Sequence, residues 1–319
     1  MFINIMKKYL IKIYDIFLTL TIFLVRWIFA KYRKRGAENL PITSKFLKKI
    51  GLYPITNHYY EPKFEYSDDE KERYLKRNLR TIKLNDQNQI KLLKNFNFKK
   101  ELLDLNLDQK SKNFNFYLEN GSFEKGDAEI YYQMIRYFKP KKIIEVGCGH
   151  STLIAMEAIK KNKSENIQTI MKCIEPYENH WLEKLDLEII REPLEKNQIN
   201  WSEELNENDI FFLDSSHIIK PDGDILKFYL EILPKLKSGV IIHIHDIFTP
   251  KNYLPNWTFD KIRLWNEQYL LEGILSNTNK YEVLLSLNHL KNNYFQILKN
   301  NCPYLESKTE PASFYLKVN

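Results

Sequence analysis

A chain of 319 residues, 44% of them apolar, can bury a sizeable core and still carry an extension, which excludes a disordered segment or a disulfide-stapled mini-domain. The net charge of +7 is unevenly placed: residues 1–50 hold eleven Lys or Arg against Asp15 and Glu38, leaving −2 for residues 51–319. The larger part therefore has no basic stripe, which argues against a nucleic-acid partner. Cys148, Cys173 and Cys302 lack the spacing of a disulfide framework or a zinc site, and free buried thiols suit a reducing cytosol.

Residues 10–30 are strongly apolar and are followed by Lys31, Arg33, Lys34 and Arg35. Lys12, Asp15 and Arg26 interrupt the run, so it is a poor match to a clean bilayer span. Lys8, Lys12, Asp15, Thr19 and Arg26 recur near one helical face, which predicts an amphipathic helix over residues 1–35. Such a helix can lie on a membrane surface with its basic flank against anionic lipid, or pack on the C-terminal domain or a partner. No small-x-small cleavage site follows it, so a secretory signal is disfavoured and the expected location is cytoplasmic, at the inner face of the membrane.

Residues 36–115 read as a mixed accessory region. Leu40-Pro41 starts a short helix, NHYYEP at 57–62 forms an irregular aromatic segment, a charged helix is expected at 67–83, and a Lys/Asn-rich stretch fills 84–115. His58, Tyr59 and Tyr60 fit aromatic packing at a seam better than an acceptor pocket. A third domain is expected over 116–319. It opens with NGSFEKGDAE at 120–129, where Asp127 can cap a helix over 128–138 and Gly121 and Gly126 permit a loop that folds over the next turn.

That turn is IIEVGCGHST at 143–152: an apolar strand, a glycine bend and a helix start. Gly147 and Gly149 allow a sharp bend and close approach of a ligand, and Ser151 or Thr152 caps the helix that follows. A dinucleotide site wants G-x-G-x-x-G, but Thr152 stands at the third position. Glu145 would repel a pyrophosphate and suits a cofactor that carries an amino group and a sulfonium. The pattern E-x-G-x-G thus resembles motif I of class I S-adenosylmethionine-dependent methyltransferases.

Downstream, apolar runs at 168–175, 187–191, 210–214 and 239–246 predict further strands, with helices at 152–162, 177–185 and 222–236 between them. Strand alternating with helix predicts a Rossmann-like α/β fold, a mostly parallel sheet with helices on both faces. Glu175 closes the second strand, where a carboxylate can accept hydrogen bonds from a ribose. Strand four delivers Asp214 to His217, and strand five delivers His243, His245 and Asp246.

For methyl transfer to a hydroxyl, His217 or His245 could act as general base beside Asp214, or a divalent metal could lower the hydroxyl pKa. Asp214 and Asp246 resemble the carboxylates that hold magnesium in catechol-type and some sugar O-methyltransferases. Here His245 precedes Asp246, a softer ligand that suits zinc, iron or manganese. From HYYEP through NGSFEKGDAEIYY, IIEVGCGHST, FLDSSH and HIHDIF to WNEQYLL, the chain is similar to a bacterial methyltransferase type 24 group.

The resemblance implies cofactor contacts at Glu145, Gly147, Gly149 and Glu175. The bend itself adds His150 and Ser151. Family habit implies two last strands at 279–287 and 312–318, giving seven, the final one antiparallel. The reading that follows is S-adenosylmethionine-dependent O-methylation of a small-molecule, glycan or lipid-linked acceptor. Two alternatives stand beside it: a metal-dependent oxygenase on Asp214, His217, His245 and Asp246, and a non-catalytic membrane-surface protein with a degenerate cofactor fold.

Overall fold

The computed structural model describes residues 2–55, 62, 77–108, 115–177 and 179–319. It divides into two compact units, Met1–Ser67 and Asp68–Asn319. The expected 36–115 region is therefore shared between them. Its aromatic segment at 57–61 and the first ten residues of the expected 67–83 helix lie outside the described residues; residues 77–83 form no helix.

In the first unit, helix Phe2–Arg35 runs unbroken for 34 residues, about 50 Å. From Met6 onward it is long and apolar enough to cross a membrane, and its most apolar 18-residue window has no buried residue. The chain turns at Gly36 and returns as helix Pro41–Lys49, with proline at its start, where its missing N–H costs nothing. Tyr32 and Ser44 share a hydrogen bond at 2.9 Å, and Ser44 Oγ donates to the Ala37 carbonyl at 2.6 Å, which fixes the short helix against the end of the long one.

The second unit is built on a seven-stranded sheet of order β3-β2-β1-β4-β5-β7-β6. The strands are β1 Lys142–Val146, β2 Ile170–Ile174, β3 Glu188–Ile190, β4 Ile210–Leu213, β5 Ile241–Ile244, β6 Tyr281–Ser286 and β7 Phe314–Val318. β1 to β5 pair in parallel, and β7 is antiparallel to both β5 and β6, as expected from the sequence. Side chains alternate between two cores. Ile143, Cys173, Phe212 and Tyr315 face helices Asp127–Phe138 and His150–Ser164, whereas Ile144, Ile174, Phe211 and Leu316 face residues 225–236 and Leu271. Helices cover both faces, so the parallel strands can be apolar throughout.

Two expected helices differ in form. Residues 177–185 hold only the 3₁₀ turn His180–Lys184. Residues 222–236 begin as helix Asp224–Leu226, widen into the π-helix Lys227–Ile232 and end in the 3₁₀ turn Leu233–Lys235. Pro234 has no N–H for the helical ladder, and the tail rearranges around it.

Candidate active site

Strand order reverses between β1 and β4, both neighbours in the sheet although far apart in the chain, and ligands of open α/β sheets bind beyond the carboxyl ends at such a point. The bend after β1 depends on Gly147. Its φ is +82°, and a Cβ there would lie 1.6 Å from the Asp214 carbonyl oxygen, so no other residue fits. Gly147 N–H donates to the Ile174 carbonyl and Asp214 N–H to that of Val146, which locks β1, β2 and β4 together at the rim. The 120–126 loop folds over the turn as expected: Ser122 Oγ lies 3.1 Å from His150 Nδ1, and Tyr117 meets the His150 ring edge-on.

A cleft of about 280 Å³ opens beside this bend, lined by Val146, Gly147, Ile174, Glu175, Pro193, Leu194 and Ser215 among others. Ile174, Pro193 and Leu194 give apolar walls, Glu175 sits at the tip of β2, and the Ser215 hydroxyl is buried in the same wall beside Asp224. That donor set fits a nucleoside: a flat base between apolar faces and a diol on a carboxylate.

Of the six residues expected at the cofactor, Gly147 and Glu175 line the cleft, and Glu145, Gly149, His150 and Ser151 lie outside its wall. Gly149 donates its N–H to Thr152 Oγ1, and Ser151 Oγ donates to Glu145 at 2.6 Å. His150 packs under the 120–126 loop. Glu145 has no exposed surface; it accepts from Ser151, from Thr152 at 2.8 Å and from Tyr131 at 3.4 Å. Its β1 position shares the face of Ile143, which turns it into the helical layer, and burial pushes its carboxyl up to about 7. These four residues shape the bend from behind.

At the ends of β4 and β5 a charged cluster assembles. His217 Nε2 lies 3.3 Å from Asp214 and 3.5 Å from Asp246, and its Nδ1 bonds Glu267 at 2.9 Å. His245 Nδ1 is 3.4 Å from Asp214 and 3.6 Å from Asp246, and its Nε2 is 3.5 Å from Asp127. Burial opposes both imidazolium charges. The surrounding carboxylates outweigh it, pushing His217 up to about 10 and His245 well above the usual range. The same two cations overcome burial at Asp214 and hold its carboxyl well below the ordinary value, whereas burial raises Asp246. His217 and Asp246 have φ of 56° and 58°, left-handed backbone that is strained for these residues and typical of functional positions.

Asp214, His217 and Asp246 each offer a ligand atom within 4.8 Å of the others. Glu267 holds His217 Nδ1, which leaves Nε2 to face the carboxylates, the arrangement a metal-ligating imidazole needs. The donor set fits a divalent cation, with His217 and not His245 as the nitrogen. His243 takes no part: it is stacked between Phe212 and Tyr315 at 3.8 and 4.1 Å, and burial lowers its pKa.

Residues 144–247 match the family described as "Methyltransferase domain". This segment is a class I methyltransferase domain. An uncharacterized protein of Archaeoglobus fulgidus is 36% identical over 98 residues, 29% of this chain and 43% of that protein, so the chain spans less than half of that relative's length. Among solved structures, an O-methyltransferase from Bacillus cereus in complex with SAH is 12% identical, with 72% of this chain and 91% of that chain covered and a TM-score of 0.40. The MycE methyltransferase of the mycinamycin pathway, in complex with Mg, SAH and mycinamycin VI, is 11% identical over 60% of this chain and 48% of that chain, with a TM-score of 0.34. At TM-scores this low neither likeness adds to the strand order and the family match.

A second cavity of about 480 Å³ adjoins the methyltransferase domain's charged cluster, with His245, Asp246, Asp127 and Trp257 in its wall. Two of the cluster's residues were not expected from the sequence. Asp127, read there as a helix cap, reaches across to accept the N–H groups of Ala312 and Ser313. Glu267 was passed over inside WNEQYLL, although a fully buried acid on a helix needs a partner and Tyr229 and His217 supply it. Trp265 covers the His217 ring at 4.4 Å, and Arg263 lies between Trp257 and Trp265 at 4.5 and 4.3 Å.

Proposed function

We propose that the chain transfers a methyl group from S-adenosylmethionine to a hydroxyl of a small-molecule or glycan acceptor. One observation carries the reading: Asp214 lines the nucleoside-type cleft and His245 the second cavity, and the two side chains touch, Oδ2 to Nδ1 at 3.4 Å. An acceptor in the second cavity would thus be a neighbour of the cofactor, and the residues between them would align it for the in-line transfer of a methyl group. S-adenosylmethionine, when bound, supplies an electrophilic methyl group on a sulfonium.

Glu175 holds the ribose and Gly147 lets the ligand approach the backbone. His245, a wall residue of the acceptor cavity whose Nε2 lies 3.5 Å from Asp127, is placed to orient the acceptor hydroxyl as a cationic hydrogen-bond donor, since the surrounding carboxylates keep its ring protonated. His217, the other histidine expected there, is absent from the walls of both cavities, which supports a role as ligand and positioning residue. Asp214, His217 and Asp246 would hold a divalent cation, which lowers the pKa of a bound hydroxyl. Glu119, Glu124, Glu306 and Glu310 outnumber Lys125 and Lys308 around the acceptor cavity, so its field favours neutral or cationic acceptors over anionic ones.

The family match gives no support to the oxygenase or the non-catalytic reading. Calorimetry with S-adenosylhomocysteine tests the proposal. The folded wild type is expected to bind, and Glu175→Ala to bind about 10- to 100-fold more weakly, the value of a lost charged hydrogen bond. A folded protein that gives no heat would overturn it.

A further inference from the structure

We propose that helix Pro41–Lys49 and Ile50 form an interfacial lipid contact that lies flat in the headgroup layer of an anionic bilayer, beside the basic end of helix Phe2–Arg35. The short helix cannot rotate freely, because Ser44 and Leu47 are buried on its inner face and Ser44 is hydrogen-bonded to Tyr32 and Ala37. Its orientation fixes what it presents outward. Ile42, Phe46 and Ile50 are 87%, 59% and 53% exposed, and their spacing of four sets them in one row along the helix. Among the described residues nothing covers that row, and Leu52 and Tyr53 extend it with further exposed apolar surface.

Charge selects the occupant. Lys45 and Lys49 flank the row, and over residues 31–50 seven Lys or Arg face a single acid, Glu38. A second copy on this face would bring those cations against their own kind, whereas anionic headgroups neutralise them while acyl chains take up the apolar row. The long helix points to the same partner. Its exposed apolar residues, among them Ile11, Phe17, Leu20, Phe23 and Leu24, surround the axis. Lys8, Lys12, Asp15, Thr19 and Arg26 fall within roughly 60° of arc, a stripe too narrow to hold the helix at a surface by one polar side. An apolar surface of this extent is far larger than a water-exposed monomer keeps.

The full chain, reconstituted in vesicles of mixed anionic and zwitterionic phospholipid, carries an environment-sensitive label at Phe46→Cys or, on the opposite side of the helix, at Lys48→Cys. Cys148, Cys173 and Cys302 are buried and stay unlabelled in the folded protein. Nitroxide-bearing lipid is expected to quench the label at 46 roughly threefold or more beyond that at 48, and the difference should shrink in purely zwitterionic vesicles. Equal quenching at both positions overturns the proposal. So does a label at 46 that is shielded but unquenched with the chain cross-linking as a dimer, which would give the row to a second copy.

Discussion

Glu145 lies two residues before the glycine bend yet has no exposed surface, and three hydroxyl groups donate to it. Its carboxyl, about 4.5 in the unfolded chain, is pushed up to about 7 by burial, so the folded form binds the proton more tightly. The stability it contributes is fully present below about pH 4.5 and is lost as pH rises towards 7, a loss on the order of 3 kcal/mol at most. Glu145→Gln keeps an acceptor for Ser151 and Thr152 and removes the titration. Urea melts should therefore show a flatter pH dependence and a more stable variant at alkaline pH. Affinity for S-adenosylhomocysteine should change by less than about threefold, since the side chain does not line the cleft. A larger loss would restore the direct electrostatic role that the sequence pattern implies.

Arg136 binds several helical elements that the sequence reads one at a time. From the last turn of helix Asp127–Phe138 it reaches Glu101 on helix Lys99–Asp104 at 2.8 Å and Glu165, just beyond helix His150–Ser164, at 2.6 Å; it also bonds Asn162. The guanidinium is almost fully buried and packs over Phe98, and burial that would lower its pKa is outweighed by the two carboxylates. Arg136→Ala strands partly buried acids and removes packing, and is expected to cost about 3 kcal/mol in chemical denaturation. Arg136→Lys should recover less than half of that, because an ammonium cannot reproduce the forked geometry. The Glu101 and Glu165 pairing is not legible in the chain, since nothing local to Arg136 marks residues 35 behind it and 29 ahead of it as partners.

Over the whole molecule, charge and apolar surface are segregated: the first 50 residues carry an excess of nine positive charges, and the remainder is close to balanced. Asp68–Asn319 holds both the cleft and the second cavity, so a ligand that binds only the folded form should stabilise that unit. At about 100 times its dissociation constant, S-adenosylhomocysteine contributes about 2.7 kcal/mol. For a unit of this size that is a rise in Tm of about 5 °C or more, measurable by differential scanning fluorimetry. No shift would mean that the cleft does not take the nucleoside.

The first five strands, the glycine bend and the placing of Glu175 and Asp214 at strand tips were legible in the sequence because each is local: apolar runs of strand length, a turn residue, a helix start within a few positions; the last two strands came from the family resemblance. The direction of Glu145, the meeting of His217 with Glu267 fifty residues later, and that of Asp127 with the backbone of Ala312, 185 residues away, were not. Those depend on which strands lie side by side. Only the order β3-β2-β1-β4-β5-β7-β6 brings the tips of β4 and β5 together with the start of helix Asp127–Phe138, so packing selects which carboxylates share a histidine while sequence alone supplies the histidine.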